Sequence, residues 1–150
     1  MNSKGIPLPF TDLLTSLLVN MGLSGRGFER RLASVQVVRQ SGNQPNARYP
    51  SNKVRWHIDS RCWPGGGLVA VSSHISCPGA LRTISFRHKM TLEKVHIHMA
   101  VGGAYFMGRN LFAKLKTEYE HQVVAHLAPG DSSIVLLYRF WPAADEKDDD

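Results

Sequence analysis

The stretches KVRWHID (53–59), ISFRHKM (84–90) and KVHIHMAV (94–101) alternate apolar side chains with basic or otherwise ionisable ones. Because a β-strand turns successive side chains to opposite faces, this alternation predicts three half-buried strands. If the three strands are neighbours, the solvent face of their sheet is a basic surface with imidazoles set into it. The apolar residues predicted to point inward are Val54, Trp56, Ile58, Ile84, Phe86, Met90, Val95, Ile97, Met99 and Val101.

The basic side of these strands is the main candidate binding site. A surface of this kind favours an anionic partner, either nucleic acid, with RNA favoured, or an anionic lipid surface. Because both strand aromatics, Trp56 and Phe86, are expected inside, binding would be largely electrostatic and tolerant of base sequence. Arg48, next to Tyr49 in the polar loop over 41–52, offers a further contact in which the ring stacks on a base. The other residues expected to make the contact are Lys53, Arg55, His57, Arg87, Lys89, Lys94, His96 and His98.

The distribution of charge along the chain agrees with an anionic partner. The 150 residues carry a formal charge of +6 at pH 7. Between residues 26 and 116, however, 15 Lys and Arg stand against 3 acidic residues, whereas the last six residues, DEKDDD, hold five acids and one base. The segment 142–150 is therefore expected to be a disordered acidic tail that either competes for the basic face or keeps the protein soluble.

A single α+β domain is predicted over residues 12–141, preceded by an extended arm over 1–11. Its centre is expected to be a mainly antiparallel sheet of about six or seven strands, flanked by helices near 12–21 and 110–119. Short connections between the strands favour a meander that ends in a hairpin. Strands beyond the three quoted above are predicted at 33–40, 67–76, 120–128 and 132–141.

The N-terminal helix carries a wide apolar stripe and has Thr11 as its expected N-cap. Leu14 and Leu18 lie one turn apart and are predicted to face a second subunit, so that the chain forms a homo-oligomer. The alternative is that the helix packs on the sheet of its own domain. The apolar residues at helical spacing are Leu13, Leu14, Leu17, Leu18 and Met21.

The histidines support an alternative function, that of a small metal-dependent enzyme. His96 and His98 lie two residues apart on one predicted strand, so both imidazoles point to the same side, and His57 is a third candidate ligand. His57 and Asp59 form a second pair with the same spacing. No glutamate follows His98 closely to complete the set, and nothing in the sequence makes these ligands converge. The sequence therefore favours a protein that is not an enzyme.

The leading interpretation is a structural or adaptor protein that binds an anionic partner, self-associates and needs no cofactor. In composition and patterning the chain resembles a viral matrix or nucleocapsid-associated protein, which is small, basic and rich in β-structure. No apolar run of about eighteen residues predicts a membrane-spanning helix. Cys62 and Cys77 both neighbour turn residues and fit reduced thiols in an intracellular, cytoplasmic protein. Peripheral attachment to a membrane and incorporation in a virion are open alternatives.

Overall fold

The computed structural model describes residues 5–42, 53–59, 67–74, 82–100 and 102–144. Within these ranges the chain forms three helices and eight strands. The helices are α1 (Leu8–Asn20), α2 (Phe28–Arg31) and α3 (Arg109–Glu118). The strands are β1 (Leu32–Ser41), β2 (Lys53–His57), β3 (Leu68–His74), β4 (Arg82–His88), β5 (Lys94–Met99), β6 (Ala104–Met107), β7 (Tyr119–Ala125) and β8 (Ser132–Phe140). The predictions that lie outside the described residues concern Arg48, Tyr49, Cys62, Cys77, Val101 and the tail from residue 145.

The strands are divided between two antiparallel sheets of four. One sheet has the order β1-β8-β3-β6 and the other has the order β2-β7-β4-β5. Two four-stranded sheets with this order form a jelly roll, in which the chain repeatedly crosses from one sheet to the other. The structure confirms the predicted α+β class, with an N-terminal helix and antiparallel sheets.

The predicted pairing of consecutive strands is wrong for most of the chain. In the described residues, β4 and β5 are the only strands adjacent in sequence that also pair with each other. The expected final hairpin does not form, because β7 belongs to one sheet and β8 to the other. The strand β6, which the sequence analysis did not predict, lies at the edge of the first sheet beside β3.

Helix α1 begins earlier than expected. Pro7 occupies the N-cap position and α1 starts at Leu8, so residues 8–11 belong to the helix rather than to an extended arm. Proline is well tolerated in a first helical turn because the N–H groups there have no partner within the helix. Thr11 is therefore not the N-cap, and its hydroxyl donates to the carbonyl oxygen of Leu8 at 3.0 Å.

The main hydrophobic core lies between α1 and the outer side of the first sheet. Leu14 and Leu18 of α1 pack there with Leu136, Tyr138 and Phe140 of β8. The hydroxyl of Tyr138 also donates to the carbonyl oxygen of Phe10 at 2.8 Å and so ties the first turns of α1 to the sheet. In the described ranges, no helix is both long and apolar enough to cross a membrane.

The prediction that Leu14 and Leu18 face a second subunit is wrong. Both side chains are 0% exposed in the single chain, because α1 turns this pair toward β8. The alternative interpretation, in which the helix packs on its own domain, is the one the structure supports.

Several apolar residues predicted to be inside are exposed. Met90 is 85% exposed, Val95 58% and Ile97 43%. Val95 and Ile97 belong to β5, which is the edge strand of its sheet, and on this strand only Met99 is buried. Ile58, just after β2, is 40% exposed. Ile84 is buried as predicted, because β4 lies inside the sheet.

Candidate metal centre in the interior cavity

A β-bulge in β2 decides which of its side chains enter the space between the sheets. Val54 pairs with Val123 of β7. His57, three residues further on, pairs with His121 of the same strand. Because Val123 and His121 lie on one face of β7, an irregularity in β2 must bring both of their partners to that face. His57 therefore points inward, and the prediction that it belongs to the basic outer surface is wrong.

The two sheets enclose a cavity of about 320 Å³. Its wall is largely apolar, with side chains such as Val38, Val135 and Leu137 from the first sheet and Ile84 and Val123 from the second. An apolar wall with a few convergent polar groups is the usual construction of a small-molecule site. The polar residues that line it are Gln36, Gln40, His57, Asp59, Arg82, Tyr105, His121 and Arg139.

Three of these polar residues, His57, Asp59 and His121, form a compact cluster. Atom Oδ1 of Asp59 lies 3.6 Å from Nε2 of His57 and 3.8 Å from Nε2 of His121. One ligand atom from each residue lies within 4.8 Å of the other two. At metal–ligand bonds of about 2.0–2.2 Å, donor atoms on one ion lie roughly 3 Å apart. Small side-chain rotations would therefore close the cluster on a metal ion.

A backbone hydrogen bond fixes the nitrogen that His57 presents to this cluster. Its Nδ1 lies 2.7 Å from the carbonyl oxygen of Arg55. Since a carbonyl only accepts, Nδ1 carries the proton, and in the neutral ring Nε2 keeps the lone pair that faces Asp59. A backbone carbonyl bound to the second ring nitrogen is a common feature of metal-binding histidines.

The protonation of the cluster suits a cation. Burial, assisted by the nearby His57, lowers the pKa of His121 to about 4, so this imidazole is neutral near pH 7. Burial also acts to raise the pKa of Asp59, but its interactions with His57, His121 and Arg139 together hold that pKa below its usual value. The interaction with Asp59 raises the pKa of His57. An ionised carboxylate and a neutral imidazole are the forms that bind metal, and a metal ion would displace the second proton of His57.

Arg139 holds the carboxylate of Asp59 from its other side. Its Nη2 lies 3.6 Å from Oδ2 of Asp59, and its Nη1 donates to Oε1 of Gln36 at 2.8 Å. Gln36 lies on β1 and Arg139 on β8, both in the first sheet. Asp59 follows β2 of the second sheet, so side chains of the first sheet orient a carboxylate of the second. This contact leaves Oδ1 turned toward the two histidines, as expected for a group that orients a metal ligand.

Arg82 contributes a second buried guanidinium to the cavity. The residue is 2% exposed, and its Nη2 donates to the hydroxyl of Ser133. Its Nε and Nη1 have no hydrogen-bond partner in the part of the chain that the structure describes. Burial lowers the pKa of Arg82, yet an arginine keeps its proton at neutral pH. Charged N–H groups are thus available inside the cavity.

Tyr105 of β6 lies in the field of these charged groups. Burial, together with the charge of Asp59, raises its pKa to about 12, although Arg82 and Arg139 act in the opposite direction. Its hydroxyl is therefore neutral and able to donate a hydrogen bond. Among the described residues that line the cavity, two guanidinium groups stand against one carboxylate, which gives an excess of positive charge.

The other histidines predicted as metal ligands lie on the opposite face of the second sheet. His96 and His98 are exposed on β5. Their Nδ1 atoms are hydrogen-bonded to the hydroxyl groups of Ser85, at 2.6 Å, and Thr83, at 3.0 Å. The sheet thus separates them from His57, and the predicted set of His57, His96 and His98 is wrong.

The basic residues predicted for the outer surface differ in how they are placed. Arg87 is bound by Glu120 of β7, and Lys89, just after β4, donates to the carbonyl oxygen of Thr117 at 2.8 Å. Lys89 is nevertheless exposed, as are Lys53, Arg55 and Lys94.

Trp56 lies on this outer surface, contrary to the prediction. The centre of its ring is 4.4 Å from Cζ of Arg87 and 6.0 Å from Nζ of Lys94. Both partners occupy the outward positions of β4 and β5. The bulge in β2 explains the change, because it turns His57 inward and Trp56 outward.

Strand alternation contains a signal for three polar residues of the cavity that no sequence prediction named. His121 shares its side of β7 with Val123 and Ala125. Arg82 shares its side of β4 with Ile84, and Arg139 shares its side of β8 with Leu137. A polar residue on an apolar side of a strand is the pattern that could have revealed them.

The fold and the cluster together define a jelly roll with two histidines and one aspartate converging in its interior. No protein-family model matches the chain, and no curated protein matches its sequence. Among solved structures, the cupin domain of Drosophila melanogaster CENP-C is similar with 11% identity and a TM-score of 0.42, over 71% of this chain and 60% of that chain. The structure of D. melanogaster CENP-C bound to CAL1 gives the same identity and TM-score, over 71% and 64%.

A third similar structure is the hydroxypropylphosphonic acid epoxidase from S. wedmorenis in complex with fosfomycin. Its identity is 14% and its TM-score 0.42, over 75% of this chain and 46% of that chain. The chain thus spans less than two thirds of each of these structures. At such identities and TM-scores the similarities carry no argument about function, which has to come from the residues themselves.

Proposed function

We propose that this protein binds one divalent metal ion through His57, Asp59 and His121 and acts on a small anionic molecule in the adjoining cavity. One observation carries the proposal. Two imidazole nitrogens and a carboxylate oxygen converge within 4.8 Å at the wall of a partly open cavity between the sheets. Such a protein would be a metal-dependent enzyme, the alternative that the sequence placed second.

The donor set favours iron(II). Two histidines and one carboxylate leave coordination positions open, and this arrangement is typical of non-haem iron(II) oxygenases. Iron(II) bound there would supply redox chemistry and open positions for substrate. Zinc(II) is the main competitor, because catalytic zinc sites also use three protein ligands and an open position.

A structural ion pair is the simplest alternative explanation of the cluster. It accounts for His57 and Asp59, whose opposite charges would attract each other. It gives no reason for the position of His121, whose Nε2 lies 3.8 Å from the same carboxylate oxygen, beyond hydrogen-bonding distance. A metal ion supplies that reason, because it would bind both imidazoles and the carboxylate at once.

The surroundings of the cluster support an anionic substrate. Arg82 offers Nε and Nη1 without partners in the described residues, and Tyr105 offers a neutral hydroxyl. A guanidinium binds carboxylates and phosphates through several N–H bonds at once. A metal ion would add further positive charge, so a small carboxylate or phosphate would restore neutrality inside the cavity.

The test is metal binding by the whole protein and by variants of the cluster. We expect the purified protein, freed of metal by a chelator, to bind one equivalent of iron(II) under anaerobic conditions or one of cobalt(II), which reports its ligands through its visible spectrum. His121→Ala and Asp59→Ala should abolish this binding. His98→Ala is the matched control, because His98 is an exposed histidine on the other face of the same sheet.

Three outcomes are decisive. Loss of binding in the cluster variants but not in His98→Ala supports the proposal. Equal binding by all proteins contradicts it, because the metal would then be held by exposed histidines. One tightly held equivalent of zinc that iron(II) cannot replace would support the metal site but exclude iron(II) as its native metal.

A further inference from the structure

We infer that the outer face of the second sheet is a binding surface for single-stranded nucleic acid, with Trp56 as the ring on which a base stacks. This surface is independent of the metal centre, since the sheet itself lies between them. It consists of outward side chains of β2, β4 and β5, and we call it the outer face.

The placement of Trp56 is the first observation. Its ring lies against the guanidinium of Arg87, with Lys94 on the adjoining strand 6.0 Å away. An aromatic ring flanked by cations is the arrangement that single-strand-binding proteins use, because a base stacks on the ring while its phosphates meet the positive charges. Glu120 neutralises Arg87, so the charges available to phosphates are those of the exposed Lys53, Arg55 and Lys94.

A row of polar side chains along β5 is the second observation. Lys94, His96 and His98 occupy alternate positions and are all exposed. Alternate residues of a strand are about 6.6 Å apart, so the row is an extended line of polar groups. The hydroxyls of Ser85 and Thr83 hold the two imidazoles by Nδ1, which leaves each Nε2 for another partner. An extended sugar-phosphate backbone offers acceptors in such a line.

The shape of the outer face favours nucleic acid over lipid. A membrane-binding surface needs apolar side chains that insert among acyl chains. On the outer face the largest ring, Trp56, is only half-exposed and is covered on one side by Arg87. A sheet surface that combines the ring of Trp56 with exposed lysines and hydrogen-bonded imidazoles matches the mixed chemistry of an unpaired strand.

The test is fluorescence anisotropy with a labelled RNA of about 12 nucleotides, a length that one domain of this kind can contact. At low salt we expect the whole protein to bind single-stranded RNA or DNA and to bind a duplex more weakly. Trp56→Leu should weaken single-strand binding about 5- to 100-fold, the usual effect of losing one stacked base. Trp56→Phe should retain most of the affinity, since it keeps a ring.

Charge variants give a second measurement. Lys94→Gln should reduce the slope of log affinity against log salt concentration by about 0.7, because one phosphate contact is lost. Lys114→Gln is the matched control, since Lys114 is an exposed lysine on α3, away from the outer face. Thermal melting of each variant identifies any that fail to fold. If Trp56→Leu does not fold, stacking is tested by whether Trp56→Phe, which keeps a ring, retains its affinity for single strands.

Certain results would overturn the inference. It fails if the protein does not bind RNA or DNA at low salt, or if Trp56→Leu folds and binds as tightly as the original protein. Binding to vesicles of phosphatidylserine without binding to single strands would show a lipid surface instead. None of these results bears on the metal centre, because cobalt(II) binding is measured separately on the same proteins.

Discussion

Val54 and His57 lie on the same face of β2 although they are three residues apart in the chain. In a regular strand two such residues point in opposite directions. The bulge between them places His57 in the cavity beside His121 and leaves Trp56 outside against Arg87. One local irregularity thus supplies a ligand to the proposed metal centre and the ring to the proposed nucleic-acid surface.

Metal binding should stabilise the folded protein. A ligand present at 100 times its dissociation constant raises the free energy of unfolding by about 2.7 kcal/mol if it binds only the folded state. We expect this stabilisation, measured by denaturant unfolding with and without cobalt(II), to disappear in Asp59→Ala. His126→Ala, which changes an exposed histidine, should retain it, and an equal loss in both variants would contradict the assignment of the ligands.

Removal of the charge of Arg82, whose Nε and Nη1 have no hydrogen-bond partner in the described residues, should not destabilise the protein in the absence of ligand. Replacing a buried ion pair with apolar side chains of similar size is often neutral or stabilising by about 1–4 kcal/mol, and Arg82→Met leaves no acidic partner behind among the described residues. We therefore expect Arg82→Met to unfold at the same urea concentration as the original protein or a higher one. The same variant should lose affinity for a small carboxylate or phosphate.

Arg139→Met is the control for Arg82, because it removes the other buried guanidinium of the cavity. Arg139 lies beside the buried carboxylate of Asp59 and is bound by Gln36. Its loss breaks this buried ion pair and leaves only the two histidines beside the carboxylate, which should cost up to about 3–5 kcal/mol. A loss of similar size in Arg82→Met would show that Arg82 has a structural role rather than a role in binding an anion.

Truncation of the buried leucines of α1 should lower stability without changing molecular mass. Leu14 and Leu18 are fully buried, so changing either to alanine should cost about 2–5 kcal/mol. Leu13 is 37% exposed, and Leu13→Ala should cost clearly less. Denaturant unfolding beside light scattering measures both effects, and a change in mass with unchanged stability would restore the prediction of self-association.

The hydrogen bond of Tyr138 should contribute to the attachment of α1. Tyr138→Phe removes the donor to the carbonyl oxygen of Phe10, and the loss of one such hydrogen bond costs about 0.5–1.5 kcal/mol. Amide hydrogen exchange should increase in the first turns of α1 and remain unchanged in β4. An equal increase of amide exchange in α1 and β4 would mean that this hydrogen bond does not stabilise the first turns of α1 in particular.

Much of the secondary structure could be predicted because it depends on local pattern. The alternation in β4 placed Ile84 inside, and the apolar spacing of Leu14 and Leu18 gave a helix at the right place. The pairing of strands could not be predicted in the same way. A short connection such as that between β7 and β8 suggests a hairpin, yet here it carries the chain from one sheet to the other.

The candidate metal site likewise combines residues that a local pattern predicts with one that only the pairing of strands brings in. The pair His57 and Asp59 was visible as two ionisable residues with strand spacing, and it was weighed as a metal site. His121 lies 62 positions after Asp59 in the sequence, and no local pattern connects the two. Only the pairing of β2 with β7 brings their side chains together.

By itself the sequence determined the elements, the basic charge of the body and the presence of histidines on strands, because these follow from side-chain period and composition. Tertiary structure alone decided which face each histidine occupies. A single bulge reverses the alternation after Val54, and its position is visible only in the pairing of β2 with β7. The cavity, its two guanidinium groups and the outward turn of Trp56 all follow from how strands distant in sequence pair and pack.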